Sequence, residues 1–188
     1  MAWVKVVGKE EASGELKEIY EDLEKKRGKL AHIHTILSQN PAGLVAHMDL
    51  YMTLMFGSSP LKRYQREMIG VVVSATNDCT YCVQHHGEAL DHYWKDKDKV
   101  AQLAKDHSML DLSAADRSIC DHAAQLTEKP VSVNEDQYIE PMRAAGLDDR
   151  AIVDAVQIIA YFNFVNRLVL GLGVEIETDS GVGYKYDA

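Results

Sequence analysis

The sequence predicts an all-α fold, a bundle of about eight to ten helices in one domain spanning residues 1–188. Three observations carry this. Nearly every segment repeats its apolar residues at helical period. No run alternates apolar and polar residues as a half-buried strand would, and no two-residue hairpin turn joins two such runs. Helix start and stop residues recur at regular intervals. At 188 residues and 46% hydrophobic content, the chain is long enough for one substantial core.

Residues 1–12 read as an N-terminal arm. Leu16, Ile19, Tyr20 and Leu23 then fall at i, i+3, i+4 and i+7, one face of a helix that Ser13 can cap. A second helical region covers about Leu30 to Ser38. Asn40 and Pro41 give a cap followed by a first-turn proline, opening a markedly apolar helix that stops at Gly57. Ser59 and Pro60 repeat that pattern and predict a helix to about Thr76, broken by Asn77-Asp78. Asp78 suits the N-cap of a helix from Cys79 to about Tyr93. The charged run Lys95–Lys99 starts a short helix ending near His107, its charges forming a solvated face. Ser113 and Asp116 resemble a capping box, with Asp in place of the usual Glu or Gln, for a helix to about Thr127. Asn134 caps the next, which Pro141 should kink or split before Gly146. Asp148 starts the last long helix, ended by Gly171 and Gly173. Residues 178–188 form a polar, Gly-rich tail, expected to be extended or poorly ordered. Leu61–Arg66 also aligns with Leu112–Arg117, as an internal repeat would; Cys120 then falls opposite Ile69, a core position.

The net charge of −9 leaves no basic stripe for phosphates, which disfavours nucleic acid as a partner. No uninterrupted apolar run reaches membrane-spanning length, so no membrane is expected. The first residues lack a secretory pattern, and the expected compartment is the cytoplasm. Only three cysteines are present, two of them in one Cys-x-x-Cys. In a reducing compartment such a pair is catalytic or metal-binding rather than part of a disulfide framework.

That pair lies in Cys79-Thr-Tyr-Cys-Val-Gln-His-His86. On a helix, Cys79, Cys82 and His86 line one face, with Cys82 next to both others. Cysteines at i and i+3 are close enough to form a disulfide. Free N–H groups of the first turn favour a thiolate, and His86 can accept the Cys82 proton, so Cys82 is expected to ionise near neutral pH. Glu67, twelve residues before Cys79, would reach His86 if the two helices pack antiparallel, orienting the ring and raising its basicity. Cys79, Cys82 and His86 could equally be three ligands of a structural zinc, with His85, Cys120 or another histidine as the fourth. On spacing alone the redox and metal readings stand level.

Glu67, Cys79, Cys82 and His86 together match a Glu-x11-Cys-x-x-Cys-x3-His pattern. In it the chain resembles the alkylhydroperoxidase-D-like proteins of the carboxymuconolactone decarboxylase superfamily. Flanking text such as Met55-Phe-Gly-Ser-Ser-Pro-Leu61, Val73-Ser-Ala-Thr-Asn77 and Ala160-Tyr-Phe-Asn-Phe-Val-Asn166 is similar to the uncharacterised peroxidase-related branch, from about Leu30 to Glu177. The resemblance implies an all-helical fold of that type and a thiol-dependent peroxidase that needs no cofactor or metal. By it, Cys82 is the attacking thiolate, Cys79 resolves the sulfenic acid as a disulfide, and Glu67 and His86 relay protons. The substrate would be hydrogen peroxide or an organic hydroperoxide. An external dithiol, a small molecule or an adaptor protein, would restore the pair. Homo-oligomers are common in the superfamily, so one is expected here.

The chain departs from the pattern between the cysteines, where the best-known members often have His and this one has Tyr81. A phenol with pKa near 10 donates a hydrogen bond but is a poor base. Tyr81 and His85 are therefore neighbours of the site rather than members of the relay, with His85 read as a surface or supporting group. His32, His34 and His47 sit on helices resembling the family's active-site cover but read better as surface or satisfied core residues; His92, His107 and His122 read as structural. Alternatives to the peroxidase are a thiol–disulfide oxidoreductase or redox sensor, and a structural metal-binding protein. A decarboxylase role is disfavoured, because that chemistry has no use for a redox dithiol.

Overall fold

The computed structural model describes residues 2–179 and 182–186. Among them there are nine α-helices and no strand: α1 Gly14–Arg27, α2 His32–Thr35, α3 Pro41–Phe56, α4 Arg63–Thr76, α5 Thr80–Trp94, α6 Lys97–Asp106, α7 Ala114–Glu128, α8 Glu140–Ala144 and α9 Asp149–Leu172.

Helix α4 is the centre. Every residue from Gln65 to Ser74 is buried, and α5, α7 and α9 pack around it. The Met-Ile-Gly-Val-Val-Val run at 68–73 supplies apolar surface on all sides, as expected of a helix with no solvent face. A smaller cluster joins α1 to α3 through Leu16, Tyr20, Leu23, Leu44 and Met48. Helix α9 is long and apolar enough to cross a bilayer, but 44% of that stretch is buried inside the protein, as in a core helix.

Most caps follow the sequence. Asn40, Ser113, Asn134 and Asp148 each accept a bond from a first-turn N–H, and Asp96 does so at α6. Pro141 divides its segment into a π-turn over Glu135–Ile139 and the short α8.

Four local expectations need correction. Ser13 precedes α1 but makes no side-chain cap bond. Ser59 and Pro60 do not open α4: Ser59 Oγ accepts the Leu61 N–H, closing a turn, and α4 starts after Lys62, whose N–H is accepted by Gln65 Oε1. Asp78 is not a cap but a left-handed link (φ 55°), and Cys79 itself is the N-cap of α5. Gly171 lies within α9, which ends at left-handed Gly173. Trp3 fills the space beside Gly173 so closely that a Cβ there would meet its ring at 2.6 Å, which pins the N-terminal arm to the end of α9.

The internal repeat has a structural counterpart. Arg66 and Arg117 occupy the fourth position of α4 and α7. Each turns its guanidinium back on carbonyls of the preceding loop: Leu54, Met55, Gly57 and Leu61 for Arg66, and His107, Ser108 and Leu110 for Arg117. Gln65 and Asp116, also aligned, bond each other at 2.8 Å. Cys120 is fully buried core, like Ile69.

Candidate active site

Helices α4 and α5 run side by side from the break at Asn77-Asp78 and bring Glu67 to His86. Glu67 Oε2 lies 2.8 Å from His86 Nδ1, and its other oxygen accepts from Arg63 Nη2 at 2.9 Å. Glu67 is 1% exposed. Burial raises its pKa, but the bonds from His86 and the charge of Arg63 outweigh that and hold it below the ordinary carboxylate value. Gly70 makes the approach possible. A Cβ there would sit 3.0 Å from the Phe162 ring and 3.1 Å from the His86 ring, and Phe162 meets His86 edge-on at 4.4 Å.

Cys79 and Cys82 are both free thiols, 0% and 3% exposed. They hydrogen-bond each other. This bond holds Cys79 below the ordinary thiol pKa although burial opposes it. The same bond, together with burial, pushes Cys82 well above it. The expected near-neutral Cys82 is thus not found in the reduced pair. Once one proton has left the pair, the second is hard to remove. Ser74 and Asn166 also hydrogen-bond Cys82 and pull its pKa back down. Asn166 is fixed in turn by Ser74 Oγ at 3.1 Å and Asn77 Nδ2 at 2.9 Å.

A cavity of about 60 Å³ opens beside Cys82, lined also by Glu67, His85 and His86. Cys79 is absent from its wall, so a molecule in the cavity meets Cys82. That space suits a few waters or a small peroxide. Its other walls are largely apolar and aromatic, among them Tyr51, Tyr161 and Phe162.

A second hydrogen-bonded cluster adjoins it. Glu177, from the segment after α9, accepts from Tyr81 Oη at 2.9 Å and lies 2.7 Å from His85 Nε2. Tyr81 Oη in turn accepts the Ile33 N–H at 3.1 Å. Tyr81 is therefore a positioned donor whose pKa burial raises far above 10. His85 is buried and carboxylate-bound rather than superficial; burial lowers its pKa against the pull of Glu177.

The tail, read from the sequence as extended or poorly ordered, forms no helix or strand among its described residues. Tyr184 and Tyr186 line the cavity, the Lys185 N–H donates to the Arg27 carbonyl at 2.9 Å, and Arg27 Nη1 donates to the Lys185 carbonyl at 3.1 Å. The extended or poorly ordered state expected of residues 180–181 and 187–188 lies outside the described residues. His34 and His47 also line the cavity; both are buried, and His34 Nδ1 accepts the Ala31 N–H at 3.0 Å, as a satisfied core histidine does. Burial holds both neutral, with pKa values lowered to about 3 and about 4. Ser74, Asn166, Gly70 and Glu177 escaped the sequence reading. The available signal was a small or polar residue set inside an apolar run, as in Val71-Val-Val-Ser74 and Phe164-Val-Asn166.

Among the described residues, no group of three or more His, Cys, Asp or Glu side chains is arranged to hold a metal ion. His86 faces Glu67, His85 faces Glu177, and Cys120 is enclosed in core, so the proposed fourth ligands are committed elsewhere.

Residues 42–125 match the model of the carboxymuconolactone decarboxylase family. The fold is similar to that of an uncharacterized peroxidase-related protein from Silicibacter sp. TM1040, with 27% identity over 97% of this chain and 93% of that one and a TM-score of 0.83. It is also similar to an uncharacterized peroxidase-related protein from Ralstonia eutropha JMP134, described as an alkylhydroperoxidase AhpD core, at 24% identity over 100% and 97% with a TM-score of 0.86. The debrominase Bmp8, crystallised with 2,3,4-tribromopyrrole, shares the fold at 18% identity over 94% and 92% with a TM-score of 0.79. No protein of curated function matches the sequence.

Proposed function

From its membership of the carboxymuconolactone decarboxylase family through residues 42–125, we propose that this chain is a thiol-dependent peroxidase that works without a cofactor. The observation that carries the reading is the buried Glu67–His86 bond beside a reduced Cys79–Cys82 pair, with only Cys82 facing a peroxide-sized cavity.

The pair begins with one proton and one negative charge. Peroxide entering the cavity meets Cys82, and the shared proton moves to Cys79 along their hydrogen bond. The Cys82 thiolate attacks the terminal oxygen. The S–O bond forms as the O–O bond breaks, and the alkoxide leaves with a proton from the His86–Glu67 relay. Cys82 is now a sulfenic acid. Cys79 attacks its sulfur, the S–S bond forms, and hydroxide leaves with the Cys79 proton as water. Two electrons have passed from the pair to the peroxide. An external dithiol returns them by exchange and is itself oxidised to a disulfide. Ser74 and Asn166 support this sequence by stabilising charge on Cys82.

Because the sulfurs are 0% and 3% exposed, a small dithiol reaches them more readily than a protein partner would. A second reading is reductive dehalogenation, a chemistry suggested by the name of the debrominase Bmp8 and supported by the aromatic cavity walls. It uses the same two electrons and would release halide. We also expect copies of the chain to associate, since Leu50 on α3 and Val153, Phe164 and Leu170 on α9 are exposed apolar residues.

The test is one equivalent of hydroperoxide without reductant, followed by mass spectrometry. A Cys79–Cys82 disulfide formed with loss of one peroxide per chain supports the reading. Thiols that survive the treatment exclude it.

A further inference from the structure

One buried charge in the cavity has no part in that sequence. Arg27, the last residue of α1, is 3% exposed and shares the cavity wall with Cys82. A buried guanidinium normally faces a carboxylate, because an unpaired buried cation is costly. The buried carboxylate at this cavity, Glu67, is engaged with His86 and Arg63, and Glu177 next to it with His85. Among the described residues no carboxylate pairs with Arg27. Of its five N–H donors, two meet acceptors, the Lys185 carbonyl at 3.1 Å and Tyr51 Oη at 3.2 Å. Ring faces lie close by, with Phe56 4.3 Å and Tyr51 5.3 Å from the guanidinium carbon; Arg27 also borders a second cavity lined by Glu18, Asp22 and Asp49, none of which pairs with it.

Two more polar groups stand nearby, one of them a donor. Tyr51 accepts from Arg27, which leaves its own O–H to donate, and the hydroxyl keeps its proton because burial pushes its pKa up to about 12. His47 is neutral and buried, and its Nδ1 has no partner. Arg27 and Tyr51 therefore present N–H and O–H donors at the cavity wall that no acceptor among the described residues takes up.

We propose that the cavity binds a small carboxylate, and that the electrophile reduced at Cys82 carries such a group, held by Arg27 with Tyr51 as a further donor. A planar guanidinium matches a carboxylate two-to-two. Small size follows from the cavity of about 60 Å³. The identity of the electrophile rests on the peroxidase reading; the binding of the anion does not.

The test is titration of the intact chain with propionate and with propionamide, its neutral isostere, followed by nuclear magnetic resonance at pH 7. Propionate should bind at least about tenfold more tightly than the amide, and Arg27→Gln should weaken it roughly ten- to hundredfold. Arg27→Lys should recover part of the loss. Equal binding of acid and amide, or full propionate affinity in Arg27→Gln, would overturn the inference and leave Arg27 as a latch for Lys185. If Arg27→Gln fails to fold, Tyr51→Phe carries the test: a several-fold loss specific to the acid supports it, and none overturns it. Propionate binding by a chain that cannot turn over peroxide sustains this inference and sinks the peroxidase reading. Peroxide turnover without propionate binding does the reverse.

Discussion

Glu67 Oε2 and His86 Nδ1 lie 2.8 Å apart, joining residues nineteen positions apart across the α4–α5 pair. The bond fixes which ring nitrogen carries a proton and leaves the other to take or give one at the cavity. Replacing the carboxylate should therefore affect chemistry more than binding. We expect Glu67→Gln to lower kcat on the order of a hundredfold or more, with a smaller change in KM and a displaced pH–rate profile. Steady-state kinetics across pH checks this; an unchanged profile would separate Glu67 from the relay.

Gly70 tests the same relationship from below. Its missing side chain leaves room for both the His86 and the Phe162 rings, at 3.1 and 3.0 Å from a built Cβ. Gly70→Ala must push one of them away. The expected result is a loss of about 1–3 kcal/mol in stability and a drop in kcat, read by urea unfolding and peroxide turnover. Ordinary helix propensity predicts the opposite sign for stability, since Ala is favoured over Gly in a helix by about 1 kcal/mol.

Much of this arrangement was legible in the sequence, and the boundary has physical causes. Helix α5 and its line of Cys79, Cys82 and His86 follow from helical spacing, which is local; the Glu67 partner comes from the family pattern together with an assumed antiparallel helix pair. Asn40, Ser113, Asn134 and Asp148 cap where expected because capping depends on three or four adjacent residues. Ser59-Pro60 misled for the same reason: the local pattern is sound, but Arg66 draws the carbonyls of Leu54, Met55, Gly57 and Leu61 around itself and holds the loop open until Lys62. The Glu177 contact was illegible because it spans 92 residues to His85, and a polar, Gly-rich tail gives no periodic signal. The Cys82 pKa was misjudged because spacing places the neighbours but says nothing about burial.

The tail makes its own prediction. Glu177 accepts from Tyr81 and holds His85, so Glu177→Ala leaves both buried groups short of a partner. We expect a loss of roughly 1–3 kcal/mol, measured by chemical denaturation. The described tail residues Tyr184 and Tyr186 should also become more accessible, seen as faster modification by tetranitromethane. Wild-type stability in Glu177→Ala would mean that the tail is not held through this carboxylate.

Acid should loosen the cavity before it affects the surface. Burial keeps His34 and His47 neutral in the folded chain, with pKa values lowered to about 3 and about 4. The unfolded chain takes up these protons first, as pH falls through about 6.5. Their contribution is therefore intact above pH 6.5 and is lost as pH falls towards 4, at roughly 2 kcal/mol for each histidine by pH 5. Glu67, held below the ordinary carboxylate value, adds a further loss in the same direction at lower pH. Urea unfolding at pH 7 and pH 5 measures the difference, and His47→Gln should remove about half of it.

The central claim is that Cys82 attacks and Cys79 resolves. Peroxide consumption with an excess dithiol donor, in wild type, Cys82→Ser and Cys79→Ser, tests it most directly. The account predicts sustained turnover in wild type, none in Cys82→Ser, and in Cys79→Ser a single turnover that leaves a sulfenic acid at Cys82, trapped by dimedone. Equal turnover in wild type and Cys82→Ser would contradict it.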